Sequence, residues 1–166
     1  MTQGFRIEAL APAQARGSFS SGSAPLDRYL HDLATQDIKR RLSNCFVALD
    51  DTGIIAGYYT FAAASFPLTE LSAEEVKRLP RYPLLPAGLI GRLAVDLRFQ
   101  GQRLGSALIM DAAVRAARAE PAIFALVVDA KDGKAATFYS HHGFRRFASK
   151  PASLFLPVAT ALQAMA

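Results

Sequence analysis

Two stretches of the chain hold residues whose types and spacing can do chemistry. The first runs Gly91-Arg92-Leu93-Ala94-Val95-Asp96, then Leu97-Arg98-Phe99-Gln100-Gly101-Gln102-Arg103, then Leu104-Gly105-Ser106-Ala107-Leu108-Ile109. An apolar strand breaks into a Gln/Gly/Arg turn and re-emerges as a helix. Small residues at Gly101, Gly105 and Ser106 let the backbone approach a ligand, and the first turn of a helix carries N–H groups without intrahelical acceptors. Such a turn is a cradle for an anion, phosphate above all. The second stretch is Ala135-Ala136-Thr137-Phe138-Tyr139-Ser140-His141-His142-Gly143-Phe144. On a helix that Gly143 terminates, Ala135 and Phe138 lie one turn apart and are expected to face the core. Tyr139 is then left beside a cleft.

Two common glycine motifs do not fit the first stretch. No Gly-Lys-Ser or Gly-Lys-Thr tripeptide occurs, which argues against a triphosphate loop. The dinucleotide fingerprint lacks its middle glycine and would lie past mid-chain. Gln100-Gly101-Gln102-Arg103-Leu104-Gly105 instead resembles the pyrophosphate loop of acetyl-CoA-dependent N-acetyltransferases, Gln/Arg-x-x-Gly-x-Gly/Ala, with Arg103 in place of the first glycine. A side chain there is expected to hold residue 103 at an ordinary negative φ, while its guanidinium adds a contact to a coenzyme phosphate. Ala135-x-x-Phe138-Tyr139 followed by Gly143-Phe144 resembles the helix that closes the coenzyme-binding core of the same superfamily.

The resemblance implies an α/β chain with the GNAT (acyl-CoA N-acyltransferase) fold, a mixed central sheet flanked by helices. It also implies acetyl-CoA as co-substrate, held by Leu93, Ala94 and Val95 and by Gln100, Gly101, Gln102, Arg103, Leu104, Gly105 and Ser106.

A longer series narrows it further: Ser21-Gly22-Ser23-Ala24-Pro25-Leu26-Asp27-Arg28-Tyr29-Leu30, Ala34-Thr35-Gln36-Asp37, Lys39-Arg40-Arg41, Cys45-Phe46-Val47-Ala48, Ala56-Gly57-Tyr58-Tyr59-Thr60, Arg78-Leu79-Pro80-Arg81-Tyr82-Pro83 and Val128-Asp129-Ala130. With the two stretches above, it resembles the acetyltransferase toxins of bacterial type II toxin–antitoxin modules, from about residue 19 to residue 156. That resemblance implies Tyr139 as the catalytic residue, aminoacyl-tRNA as substrate and a ribbon-helix-helix antitoxin as partner. A homodimer in the cytoplasm completes the expectation.

The chemistry agrees with a weakly basic acceptor. Acetyl transfer from a thioester needs an unprotonated amine and a proton for the departing thiolate. A lysine ε-amine at about 10.4 needs a positioned base, whereas an α-amine at about 7.7 to 8.0 is substantially neutral in a cell. Residues 91–95 offer no carboxylate or histidine as that base. The Tyr139 phenol stays protonated near neutrality and suits a general acid. His141 and His142, just before a glycine stop, read as groups that cap the last carbonyls. Asp132 stands where many acetyltransferases carry an asparagine for the pantetheine arm, and an aspartate cannot donate as that amide does. Asp96 and Asp129 end strands and are expected to organise turns.

With 166 residues, 51% of them apolar, the chain suits a single domain, residues 1–166. Lone Cys45 reads as a buried structural thiol, no metal site is expected, and no apolar run is long enough for a membrane span. Net charge is +5, and its placement says more than its size. Lys39, Arg40 and Arg41, then Lys77, Arg78 and Arg81, then Arg145, Arg146 and Lys150 form three basic clusters expected to bracket the cleft. Together with Arg92, the first two are candidates for tRNA contacts, against the plainer readings of solvated surface for the clusters and of a salt bridge inside the fold for Arg92. An acetyltransferase of a small amine or a protein N-terminus, and a non-catalytic acetyl-CoA-binding partner of a DNA-binding protein, stay open as alternatives.

The elements that must position these residues follow from pattern. Strands are predicted over 5–10, 44–49, 54–64, 88–95, 123–129, 144–147 and 153–156, and helices over 26–40, 104–119, 134–142 and from Ser72 to before Pro80. Asp50-Asp51-Thr52-Gly53 marks a hairpin, and Ser72 with Glu75 a capping box. Strand–helix alternation over 88–147 predicts parallel pairing there, after antiparallel pairing in the hairpin.

Overall fold

The computed structural model describes residues 4–165. Seven strands form one sheet in the order β1-β2-β3-β4-β5-β7-β6. β1 (Arg6–Ala9), β2 (Asn44–Leu49) and β3 (Ile55–Pro67) pair antiparallel through the predicted hairpin. Its turn is held by the Asp50 carboxylate, which accepts from the Thr52 and Ile54 N–H groups, and by Gly53 at φ +85°. β4 (Leu84–Val95) pairs parallel with β5 (Ala125–Asp129) from Ala87↔Ala125 to Ile90↔Val128, and β4 runs on to Val95 beyond that ladder.

The parallel pairing predicted over 88–147 stops at β5. β7 (Ser153–Pro157) lies antiparallel between β5 and the two-residue β6 (Arg145–Arg146), so the sheet is mixed by an insertion that no local pattern announces. The helix predicted over 26–40 is three pieces: α1 (Ala24–Arg28), a π-helix (Tyr29–Leu33) and α2 (Ala34–Lys39). Behind Ser72, α3 is only Ala73–Val76, with the capping box formed in both directions. α4 (Leu104–Arg118) and α5 (Gly133–His141) match expectation, and α6 (Val158–Met165) is an addition.

Two compact units are distinguishable, Met1–Ala62 with Gly91–Asp111 and Ala63–Ile90 with Ala112–Ala166. The first is built on Tyr29, Leu30, Cys45, Val47, Tyr58 and Ala94. Burial pushes the Cys45 thiol up to about 12, so it is an inert apolar group, as its sequence context suggested. The second is built on Phe66, Phe147 and Phe155, whose ring centroids lie 5.1 to 6.0 Å apart. No helix among the described residues is long and apolar enough to cross a membrane.

Candidate active site

In the first unit, β4 ends at Val95 and the chain turns at Asp96, which is almost fully buried. Its carboxylate accepts from the Arg98 N–H and guanidinium and from the Ser20 N–H. Burial alone would raise the Asp96 pKa, yet those donors win and hold it below the usual carboxylate range. The aspartate thus organises the turn, as expected. Gln100 closes the same loop: its amide donates to the Ser21 and Val95 carbonyls at 3.2 and 3.0 Å. That side chain is used by the loop itself.

The cradle then forms from backbone. Gly101 sits at φ +83° and Arg103 at φ +60°. The negative φ expected at residue 103 is therefore wrong: Arg103 adopts the left-handed conformation itself, although a Cβ makes that cost about 1–2 kcal/mol. The turn dictates the backbone, and the side chain follows. A left-handed residue leading into the right-handed Leu104 makes a nest of successive N–H groups at the positive end of α4. The first intrahelical bond runs from the Ala107 N–H to the Arg103 carbonyl, so the N–H groups of Leu104 and Gly105 precede the helical ladder. Arg103 is exposed, and its guanidinium has no partner among the described residues. Leu104 is buried, whereas Gly105 and Ser106 are partly exposed.

Gly57 supports this arrangement, a role that its plain strand context did not reveal. A Cβ there would lie 3.0 Å from the Ala94 carbonyl oxygen and 3.2 and 3.3 Å from the Leu104 and Leu108 side chains. Only glycine lets β3 carry the strand end and the α4 start this close. Leu93 and Val95 are half-buried, and Ala94 points into the core.

In the second unit, Asp132 caps α5 by accepting from the Ala135 N–H at 2.8 Å. That explains why an aspartate serves at this position. The buried pair on α5 is Ala136 and Tyr139, one residue on from the expected Ala135 and Phe138, which are half-buried. Tyr139 is only 8% exposed, with the Phe138 and Phe144 rings edge-on at 5.2 and 5.4 Å. The Tyr139 ring therefore packs inside α5's apolar face. Its hydroxyl has no hydrogen-bond partner among the described residues, yet no fully buried polar atom there lacks one. The ring is enclosed and the oxygen is reachable. Burial lifts the phenol to about 12, so it is protonated across the physiological range. His142 bonds the Phe138 carbonyl through Nδ1 at 2.8 Å, the capping role read from sequence, and Gly143 turns out of the helix at φ +91°.

Of the basic residues, Lys39, Arg40 and Arg41 are exposed at the end of α2, and Arg78 and Arg81 are exposed in the second unit, all five side chains unpaired among the described residues. Lys77 meets Glu74 at 3.8 Å, Arg145 bonds Glu75 and Arg146 bonds the Pro151 carbonyl. Arg92 is half-buried over the Tyr29 ring, 3.7 Å from its centroid.

The family model described as an acetyltransferase (GNAT) domain matches residues 41–146. The chain belongs to this family. It is an acetyltransferase with the GNAT fold, and acetyl-CoA is its co-substrate. The cradle fits such a group, since the nest and the first turn of α4 present N–H groups that phosphate oxygens can bond. A tRNA-acetylating toxin of Mycobacterium tuberculosis (strain ATCC 25618 / H37Rv) is 36% identical over 141 residues, 84% of this chain and 83% of that protein. AtaT complexed with acetyl-methionyl-tRNAfMet superposes with a TM-score of 0.88 at 27% identity, covering 98% of this chain and 100% of AtaT. A tyrosine-to-phenylalanine mutant of KacT superposes with a TM-score of 0.87 at 27% identity, covering 98% and 99%.

Proposed function

We propose that this GNAT chain is the toxin of a type II toxin–antitoxin module, moving acetyl from acetyl-CoA to the α-amino group of aminoacyl-tRNA and so blocking translation. The carrying observation is Tyr139: a packed phenol with a reachable, unbonded hydroxyl that stays protonated. The tRNA-acetylating relatives support the choice of acceptor.

The chain's own residues divide the work. Backbone groups of Leu93, Ala94 and Val95 and of residues 100–106 hold the coenzyme, with the Leu104 and Gly105 N–H groups taking phosphate charge. Arg103 adds a guanidinium from outside the nest. As the amine nitrogen bonds the acetyl carbon and the carbon–sulfur bond breaks, Tyr139 delivers its proton to the departing sulfur, and the phenolate recovers a proton released by the acetylated nitrogen. Residues 91–95 supply no base, which suits an α-amine that is neutral before it arrives. Lys39, Arg40, Arg41, Lys77, Arg78, Arg81 and Arg92 attract the phosphate backbone. The 166 residues work as one domain, as a homodimer in the cytoplasm, silenced by a ribbon-helix-helix antitoxin. Incubating the purified chain with labelled acetyl-CoA and a pool of charged tRNA tests this. Label should appear on aminoacyl-tRNA, whereas label only on small amines or peptide N-termini would replace the tRNA reading.

A further inference from the structure

The first unit contains a second cluster that holding the coenzyme does not use. Tyr29 opens the π-helix, where the Ala34 N–H reaches back five residues to the Tyr29 carbonyl. Single π-turns inside helices are frequent at functional positions. Here the Tyr29 side chain is 2% exposed and fixed at each contact. The Tyr29 hydroxyl donates to Asp37 Oδ2 at 2.7 Å, and the ring stacks on Tyr58 with centroids 6.3 Å apart and planes 15° off parallel. Tyr58 is itself tied down by its hydroxyl to the Leu26 carbonyl at 2.7 Å. Arg92 lies on this platform with Cζ 3.7 Å from the Tyr29 centroid.

A guanidinium stacked on a ring keeps its N–H edges for a planar or tetrahedral anion. Arg92 is half-buried and makes no ion pair among the described residues. A cation removed from water without a counter-ion is costly, so an anion that arrives with a ligand accounts for its retention. Two phosphate sources exist. The coenzyme's phosphates belong at residues 100–106, whereas Arg92 lies three residues before Val95, about 10 Å back along β4 at the rise of a strand. The exposed Lys39, Arg40 and Arg41 continue from the α2 segment that carries Asp37, and they favour a phosphodiester chain.

We infer that Arg92 binds a phosphodiester of the nucleic-acid substrate and that Tyr29, locked by Asp37, is its positioning residue. This rests on the tRNA-acetylating reading proposed above. The test measures KM and kcat for charged tRNA, and Kd for acetyl-CoA, in Arg92→Gln, Arg92→Lys, Tyr29→Phe and the Tyr29→Phe/Arg92→Gln double variant, each beside a thermal melt. Arg92→Gln should raise the tRNA KM by about 10- to 100-fold, the scale of a charge-assisted hydrogen bond, with kcat and acetyl-CoA affinity within about two-fold. Arg92→Lys should recover only part, because an ammonium lacks the planar edge. Tyr29→Phe keeps the ring but frees it from Asp37, and should raise KM by about three-fold or more at an unchanged kcat, the size of a modest hydrogen-bond loss. In the Arg92→Gln background the same change should leave KM where it was. An equal KM rise in both backgrounds would make Tyr29 merely structural, and full rescue by lysine would remove the need for a platform. Weakened acetyl-CoA binding in Arg92→Gln would assign the phosphate to the coenzyme instead. A wild-type chain that acetylates no charged tRNA would defeat the underlying reading before any variant is compared.

Discussion

Arg103 is the residue at which two demands meet. The loop requires a left-handed backbone at this position, glycine would supply it without strain, and the chain has an arginine there. If the guanidinium offsets that cost through a coenzyme phosphate, two substitutions separate the effects. Arg103→Gly should stabilise the coenzyme-free protein by about 1 kcal/mol, the left-handed penalty, as read from denaturant unfolding. Arg103→Ala should instead weaken acetyl-CoA binding by about 1.5 to 3 kcal/mol in calorimetry. Tighter coenzyme binding by Arg103→Gly would mean that the side chain contributes nothing. Titration offers a second check at this scale. Burial raises Cys45 from 9.0 and Tyr139 from 10.0, each to about 12. A folded-state pKa above the unfolded one favours the protonated fold, so this stability is complete below about pH 9 and lost as pH rises towards 12. Unfolding free energy should be flat in these groups through neutrality and fall from about pH 9, with Cys45→Ala moving the onset upward.

Among the elements, the strand-to-helix cradle depends on how closely β3 approaches it. Gly57→Ala would push a methyl against the Ala94 carbonyl and the Leu104 and Leu108 side chains, costing about 1 to 3 kcal/mol as overpacking does. Acetyl-CoA affinity should fall with it, and unchanged affinity at full stability would detach Gly57 from the cradle. The elements most legible in the sequence were those with strong local chemistry: the Asp50–Gly53 hairpin, the Ser72/Glu75 capping box, the β4–α4 cradle and the Gly143 stop. The turn at Asp96 and the cap at His142 came with them, because each bonds backbone within a few positions, whereas the Asp132 cap on the Ala135 N–H is not among the sequence expectations. The missed features are non-local or degenerate. Apolar spacing at Leu26, Tyr29 and Leu30 suits an α-turn as well as a π-turn, so the π-helix and its Arg92 platform were invisible. The antiparallel insertion of β7 beside β5 is a tertiary choice, and the alanine-rich α6 buries only Val158 and Ala161. The left-handed Arg103 was missed because residue type argued one way and loop closure decided the other.

At the scale of the whole molecule, the proposed function makes coenzyme binding at the cradle and tRNA binding at exposed basic side chains separable. Charge reversal at Lys39, Arg40 or Arg78, all exposed and unpaired among the described residues, should lower tRNA affinity and reduce the slope of log K against log salt by about 0.7 to 0.9 per lost phosphate contact. Acetyl-CoA binding should be untouched, and a wild-type salt slope in these variants would reduce the clusters to solvated surface. The central claim, acid-assisted acetylation of charged tRNA, turns on one oxygen atom. Tyr139→Phe keeps the ring between Phe138 and Phe144 and removes only the phenolic proton. Single-turnover acetylation of a charged tRNA pool, run beside a thermal melt, should show an unchanged melt and a rate lowered by roughly 10² to 10⁴, the worth of a general acid. Near wild-type turnover with the same melt would contradict the account.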